Sequence, residues 1–235
     1  MDDWNGIGSL FIASMELILL VNLLVFADKN HLNKKAMLLI TLLMIYQSLE
    51  FLMCRMGLAS SFTAYLAFVD ITFLPPLSLL LTLRFFNYNS QTLRWIFTPA
   101  ILFVIYYSIV IPEFEVTACT VLYAAYNYPL GDLYGFFYYV PILISFIMLL
   151  MKMKKESGTR KILNYLLITG HTAITLPVVV GFVLMFSGVP QLVIIMESVM
   201  CKFAFIFALA LSIFCLVNSE KKNERNNPEH IPDNK

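Results

Sequence analysis

Apolar runs of twenty or more residues recur along most of this chain, and they leave few architectures open. A helix needs about 20 apolar residues to cross the hydrocarbon core of a bilayer. Hydrophobic residues make up 60% of the sequence and charged residues 13%, against roughly 25% charged in soluble domains. The pattern predicts an all-α membrane protein, a seven-transmembrane helix bundle over residues 1–217. The predicted spans are 7–27, 34–57, 62–86, 92–111, 131–153, 161–187 and 190–217. A polar tail, 218–235, is rich in Glu, Lys, Asn and Pro and reads as disordered. MDDWNG at the start is acidic where a cleaved signal needs positive charge, so no cleavable signal is expected.

The charges sort by side. Lys29, Lys34 and Lys35 lie in or beside the first connection, Arg94 ends NYNSQTLR in the third, and Lys152, Lys154, Lys155, Arg160 and Lys161 crowd the fifth. The opposite side carries Asp2, Asp3, Glu113, Glu115 and Asp132, with Arg55 near it. The positive-inside rule then puts the N-terminus outside and the C-terminus inside. The expected location is the plasma membrane, with multiple passes through the lipid bilayer.

Within the third span, Leu66 to Phe86, the sequence LAFVDITFLPPLSLLLTLRFF carries two defects. Asp70 puts a carboxyl group where lipid is expected. Pro75 and Pro76 remove two backbone donors, and Leu74 before them is pushed from helical angles. Such a break persists in a membrane only where protein or water satisfies the freed carbonyls. An ionisable residue at that depth is a functional-site hypothesis by default.

Six ionisable residues fall inside spans away from the inner surface: Glu16, Glu50, Arg55, Asp70, Glu197 and Lys202. At about 1.5 Å per residue, Glu50 and Glu197 lie roughly 10 Å below the outer helix ends, Asp70 about 12 Å, Glu16 about 14 Å and Lys202 about 18 Å. Four acids from four helices at one depth suggest a shared polar cavity, and these six residues are the ligand-binding candidates. Glu197 and Lys202 are five apart, on different faces of one helix, so Lys202 is expected to pair with Asp70. Arg55 is expected to meet a glutamate or the outer loop. The bland alternative is that the charges only tie helices together.

The fourth connection holds the β-prone run FEVTACTVLYAAY and the turn signal NYPLGD. It reads equally as a hairpin lid or as an irregular loop on the headgroups. Cys54 and Cys119 are a candidate disulfide, while Cys201 and Cys215 read as inert core residues. His171 has no second His or Cys at ligand spacing and reads as structural, so no metal is expected. Arg84 reads as a snorkelling anchor. Pro99, Pro141 and Pro177 are candidate kinks. Tyr123, Tyr126, Tyr128, Tyr134, Tyr138 and Tyr139 read mainly as an interfacial belt. There is no G-x-S-x-G, H-E-x-x-H or P-loop, no basic nucleic-acid surface and no internal repeat. The residues point away from an enzyme.

FLPPLSLLLTLRFFNY, Phe73 to Tyr88, resembles the third span of the seven-transmembrane N-terminal sensor region of bacterial histidine kinases. PLGDLYGFFYY entering the fifth span and SGTRKILNYLLITG entering the sixth are similar too, and the likeness runs over about residues 11–217. It implies an extracytoplasmic or intramembrane sensor. Residues 218–235 hold no phospho-acceptor helix or ATP-binding domain, so kinase activity is not carried over and the output is expected to need a partner. Lys202 in SVMCKFAFIFALAL is similar to the retinal-linking lysine of microbial rhodopsins, with Asp70 resembling its counter-ion. That likeness implies retinal as the one candidate cofactor. The sixth span departs from it by lacking aromatics around a ring, with Ala173, Leu176 and Val180 there.

The leading expectation is a receptor-like sensor. It binds an external small molecule or peptide, cationic or amphipathic, in the outer half and signals through a cytoplasmic or membrane partner. A homodimer is left open. The alternatives are a proton-coupled transporter using Asp70, Glu50 and Glu197, or a retinal protein.

Overall fold

Helices account for nearly all the regular structure, and each begins where the sequence supplies a cap or a turn. The computed structural model describes residues 4–88, 91–121, 124–187 and 202–219. Helix α1 spans Ile7–Phe26 and α2 spans His31–Cys54. The Asn30 side chain caps α2 by accepting from the amides of Leu32 and Asn33. Helix α3, Ser61–Thr72, opens on a reciprocal capping box between Ser60 and Thr63. Helix α4 spans Leu74–Phe85 and α5 spans Thr98–Ile109, preceded by a 3-10 segment, Gln91–Phe97. After a short hairpin come α6, Gly131–Lys152, and α7, Gly158–Phe186. The last helix described, α8, spans Lys202–Ser219.

Among the described residues, six helical stretches are long and apolar enough to cross a membrane, taking α3 and α4 as one. The stretch Leu93–Ile109 is apolar but shorter. The outward side chains agree: Phe11, Ile18, Val21 and Val25 of α1 and Leu102 and Ile109 of α5 are exposed. Apolar faces like these suit lipid, not water. The chain is therefore a helical, multi-pass membrane protein.

The third span is broken, but not where the prolines first suggest. Leu74 was expected to leave helical angles; instead it opens α4, and the interruption falls at Phe73, which stays right-handed at φ −86°, ψ −13°. Pro75 and Pro76 sit in the first turn of α4, where amide hydrogens have no intrahelical partner and their loss costs little. Pro99 likewise lies in the first turn of α5 and starts a helix, whereas Pro141 and Pro177 lie inside α6 and α7.

Strands β1, Glu115–Cys119, and β2, Ala124–Asn127, form the antiparallel hairpin, with a register irregularity between Val116 and Ala118. Three attachments hold it down. Cys54 and Cys119 form a disulfide. The amides of Gly6 and Gly8 donate to the carbonyls of Thr120 and Val121 at 2.9 and 3.0 Å. Phe114 is buried among Tyr107, Tyr128 and Phe68. Gly6 has φ +74°, and a Cβ there would lie 3.2 Å from that of Cys54, so the approach needs glycine.

The core has two parts. An aliphatic part includes Leu23, Leu39, Leu81, Leu167 and Phe214. An aromatic part around Phe68, Phe103, Tyr107 and Tyr134 lies under the hairpin. Tyr134 was expected in an interfacial belt; it is 5% exposed, because Phe68 of α3, Phe103 and Tyr107 of α5, and Tyr128 pack around its ring. At the other end, Asn33 donates to the carbonyls of Asp28 and Cys215 and to Ser219 Oγ, and accepts from Asn218 Nδ2. This staple keeps Asn218 and Ser219 helical, so the expected disordered tail does not begin at 218; residues 220–235 lie outside those described. Arg160 donates to the Phe85 carbonyl at 2.7 Å, closing α4.

Helices α7 and α8 meet at Gly170, where an added Cβ would come within 2.7 Å of the Phe207 ring and 3.1 Å of Ala210 Cβ. Gly170→Val is expected to lower stability by about 1–3 kcal/mol through overpacking, read as thermal unfolding in detergent. The exposed neighbour Thr169→Val should leave the midpoint nearly unchanged.

Candidate functional site

The buried polar groups converge on Glu50, in the last turns of α2. Its carboxylate is 1% exposed. The Lys202 ammonium of α8 forms an ion pair with Oε2. Ser9 of α1 donates to the same oxygen at 2.9 Å. Tyr46, one helical turn earlier, donates to Oε1 at 3.3 Å, and the backbone amide of Ala124 in β2 donates to Oε1 at 3.1 Å. Lys202 also donates to Ser9 Oγ at 2.9 Å and to Gln47 Oε1 at 2.6 Å. The ammonium's three protons are thus matched by three acceptors.

Lys202 therefore pairs with Glu50, not with Asp70 as expected. Depth counted along the sequence puts Lys202 some way below the other charges, yet its ammonium meets Ser9, three residues into α1. Ser9 and Gln47 were missed in the sequence. The available signal was spacing: Gln47 precedes Glu50 by three and shares its helix face. Glu16 lies two turns deeper than Ser9, fully buried, with no hydrogen bond to either carboxyl oxygen among the described residues.

Asp70 stands apart from this cluster, on the turn of α3 before the break. It is 9% exposed, and Oδ2 has no partner among the described residues. Thr72 next to it donates to the Phe68 carbonyl at 2.6 Å, which leaves its oxygen to accept from the Tyr134 hydroxyl at 3.0 Å. Arg55 is exposed at the C-cap of α2. Glu197, Cys201 and Tyr123 lie outside the described residues. Among those described, no three His, Cys, Asp or Glu side chains gather as a metal site.

Two cavities flank the break on neighbouring faces of the third span. The central one, about 40 Å³, is bounded by Tyr46, Ile71, Leu74, Pro75, Ser78 and Phe207 among others. It has room for water but not for a drug-sized molecule. Beside it, His171 is fully buried. Its Nδ1 donates to the Leu167 carbonyl, since a carbonyl only accepts, and Nε2 meets Ser78 Oγ at 2.9 Å. Both ring nitrogens are thus engaged: Nδ1 within α7, and Nε2 tying α7 to Ser78 of α4. The other cavity, about 270 Å³, lies between α4, α5 and α6.

Among the described residues, the Lys202 ammonium is engaged by Glu50, Ser9 and Gln47. Lys202 lines neither cavity.

Removing one member of a buried ion pair leaves the other uncompensated, a loss of about 3–5 kcal/mol. Lys202→Met alone is expected to destabilise by that order, and Glu50→Leu with Lys202→Met together by less than the two single losses added. A double-mutant cycle on thermal unfolding measures the coupling.

The chain was compared with family models, with curated proteins and with solved structures, and nothing matches in any of the three.

Proposed function

We propose that the chain is a receptor-like sensor of the plasma membrane, with seven spans, the N-terminus outside and the C-terminus inside. The fourth span is the shortest. Its seven 3-10 residues rise about 14 Å at roughly 2.0 Å each, and the twelve of α5 add about 18 Å, together the thickness of a bilayer core. One observation carries the sensor reading. Glu50 accepts a hydrogen bond from the external hairpin, through the Ala124 amide, and an ion pair from the last helix, through Lys202. An event at the hairpin therefore reaches α8 through one side chain.

An external small molecule or peptide that engages the hairpin alters the hold of the Ala124 amide on Glu50, and so the partners left for Lys202. The disulfide four residues after Glu50 keeps the hairpin in register with α2. The Phe73 break lets the outer and inner halves of the third span shift separately, the two-state element that a ligand must bias. Asp70, Glu16, Glu197 and Arg55 complete the outer polar set, and a cytoplasmic or membrane partner reads the inner end of α8.

The test is hydrogen exchange of α8 with and without a compound found by its stabilisation of the purified protein. A ligand should change exchange over residues 202–219 in the wild type. Glu50→Gln should keep the thermal shift and lose the change in α8. Equal responses in both proteins would remove Glu50 as the link.

A proton-coupled carrier is the second reading, and one observation favours it. Glu16 is a fully buried carboxyl without a hydrogen-bond partner among the described residues, a place for a transported proton or cation. Proton entry into sealed vesicles, abolished in Glu16→Gln, would establish it; no entry with wild-type protein would dismiss it.

A further inference from the structure

We infer that the larger cavity is a binding slot for one hydrocarbon chain of an anionic phospholipid. Three walls make it. The broken third span contributes Thr72 and Leu79, α5 contributes Ala100 and Phe103, and α6 contributes Tyr134 and Pro141. Thr72 and Leu79 are seven residues apart, so the slot runs about 10 Å along the bundle. Its shape follows from the chain: a proline stands on each wall, and proline cannot extend into the space that a larger side chain would fill.

The two ends differ. At one, Phe103 lies edge-on to Tyr134 with ring centroids 5.3 Å apart, and the Tyr134 hydroxyl is bonded to Thr72. These rings close the slot, and its one hydroxyl pair is satisfied internally, so this end offers nothing to a headgroup. At the other end stands Trp95, 72% exposed. Arg94 beside it is exposed and has no ion-pair partner among the described residues. An aromatic anchor and an exposed cation mark the depth of lipid headgroups, and a cation there attracts anionic lipid. The occupant must therefore be apolar along its length and negative at the open end.

The bilayer supplies that molecule from its own leaflet. A 270 Å³ space lined mostly by apolar side chains beside acyl chains takes a chain in preference to water, because the hydroxyls of Thr72 and Tyr134 are spent on each other and water needs several polar partners. The leaflet is the one facing the Lys- and Arg-rich connections. A bound chain would wedge Leu79 from α5 just below the break at Phe73.

The test is lipid extraction from the full chain purified in mild detergent, with bound phospholipids quantified by mass spectrometry. The wild type should retain one phospholipid per chain, enriched several-fold in phosphatidylglycerol over phosphatidylethanolamine relative to the source membrane. Ala100→Trp, which fills the slot, should lose most of it. Arg94→Gln, at an exposed position that cannot unfold the bundle, should keep the lipid and lose the anionic enrichment. No retained phospholipid in the wild type would overturn the inference, as would unchanged enrichment in Arg94→Gln. Equal retention in a folded Ala100→Trp, with helicity checked by circular dichroism, would mean annular lipid only.

Discussion

One buried carboxylate organises the outer half of this protein. Glu50 is taken out of water almost completely, and a lone carboxylate in such surroundings is prohibitively costly. Every group that compensates it comes from a different part of the chain: Ser9 from α1, Tyr46 from α2 itself, Ala124 from the hairpin and Lys202 from α8. Each contact lowers the cost of the same charge, so they are coupled and none is optional by itself. The positions of α1, α8 and the hairpin relative to α2 follow from this requirement. So does the disulfide, which lies one turn beyond Glu50 and repeats the hairpin's attachment covalently.

The second constraint is the interruption at Phe73. A membrane helix cannot expose carbonyls to lipid, and those of Asp70 and Phe73 on either side of the break are taken. The amide of Phe73 still reaches the Asp70 carbonyl, and that of Leu77 reaches Phe73. The prolines occupy the first turn of a new helix, so two nearly continuous helices meet with one irregular residue between them. The consequence is a pair of cavities on neighbouring faces of a single span. Neither is lined mainly by charges, so the polar cluster and the open space are separate features joined through Tyr46, which touches both.

Much of the fold was legible in the sequence. The apolar runs could be read because membrane helices need length and apolarity, whereas the hairpin was one of two equal readings of the fourth connection, since its β-prone run fits either a strand pair or a loop on the headgroups. His171 read as structural, and it is held on both ring nitrogens by Leu167 and Ser78. The candidate site was only half legible. Glu50 and Lys202 stood out because ionisable residues are rare in apolar runs, yet their pairing did not. Pairing across helices depends on how each helix is rotated and how far a flexible lysine reaches. Ser9 was invisible for a plainer reason, since small hydroxyl residues are common in membrane helices, and only its spacing from Glu50 marked Gln47.

The sequence by itself determined that this chain is helical, multi-pass and interrupted in its third span, since those properties are set residue by residue along one stretch. Tertiary structure alone decided which charges meet, whether Tyr134 faces lipid or the core, and where space is left between helices. These are relations between surfaces that lie far apart in the chain. The bilayer's demand for apolar residues makes many faces alike, and a handful of polar contacts, chiefly those to Glu50 and Asn33, then selects one arrangement among them.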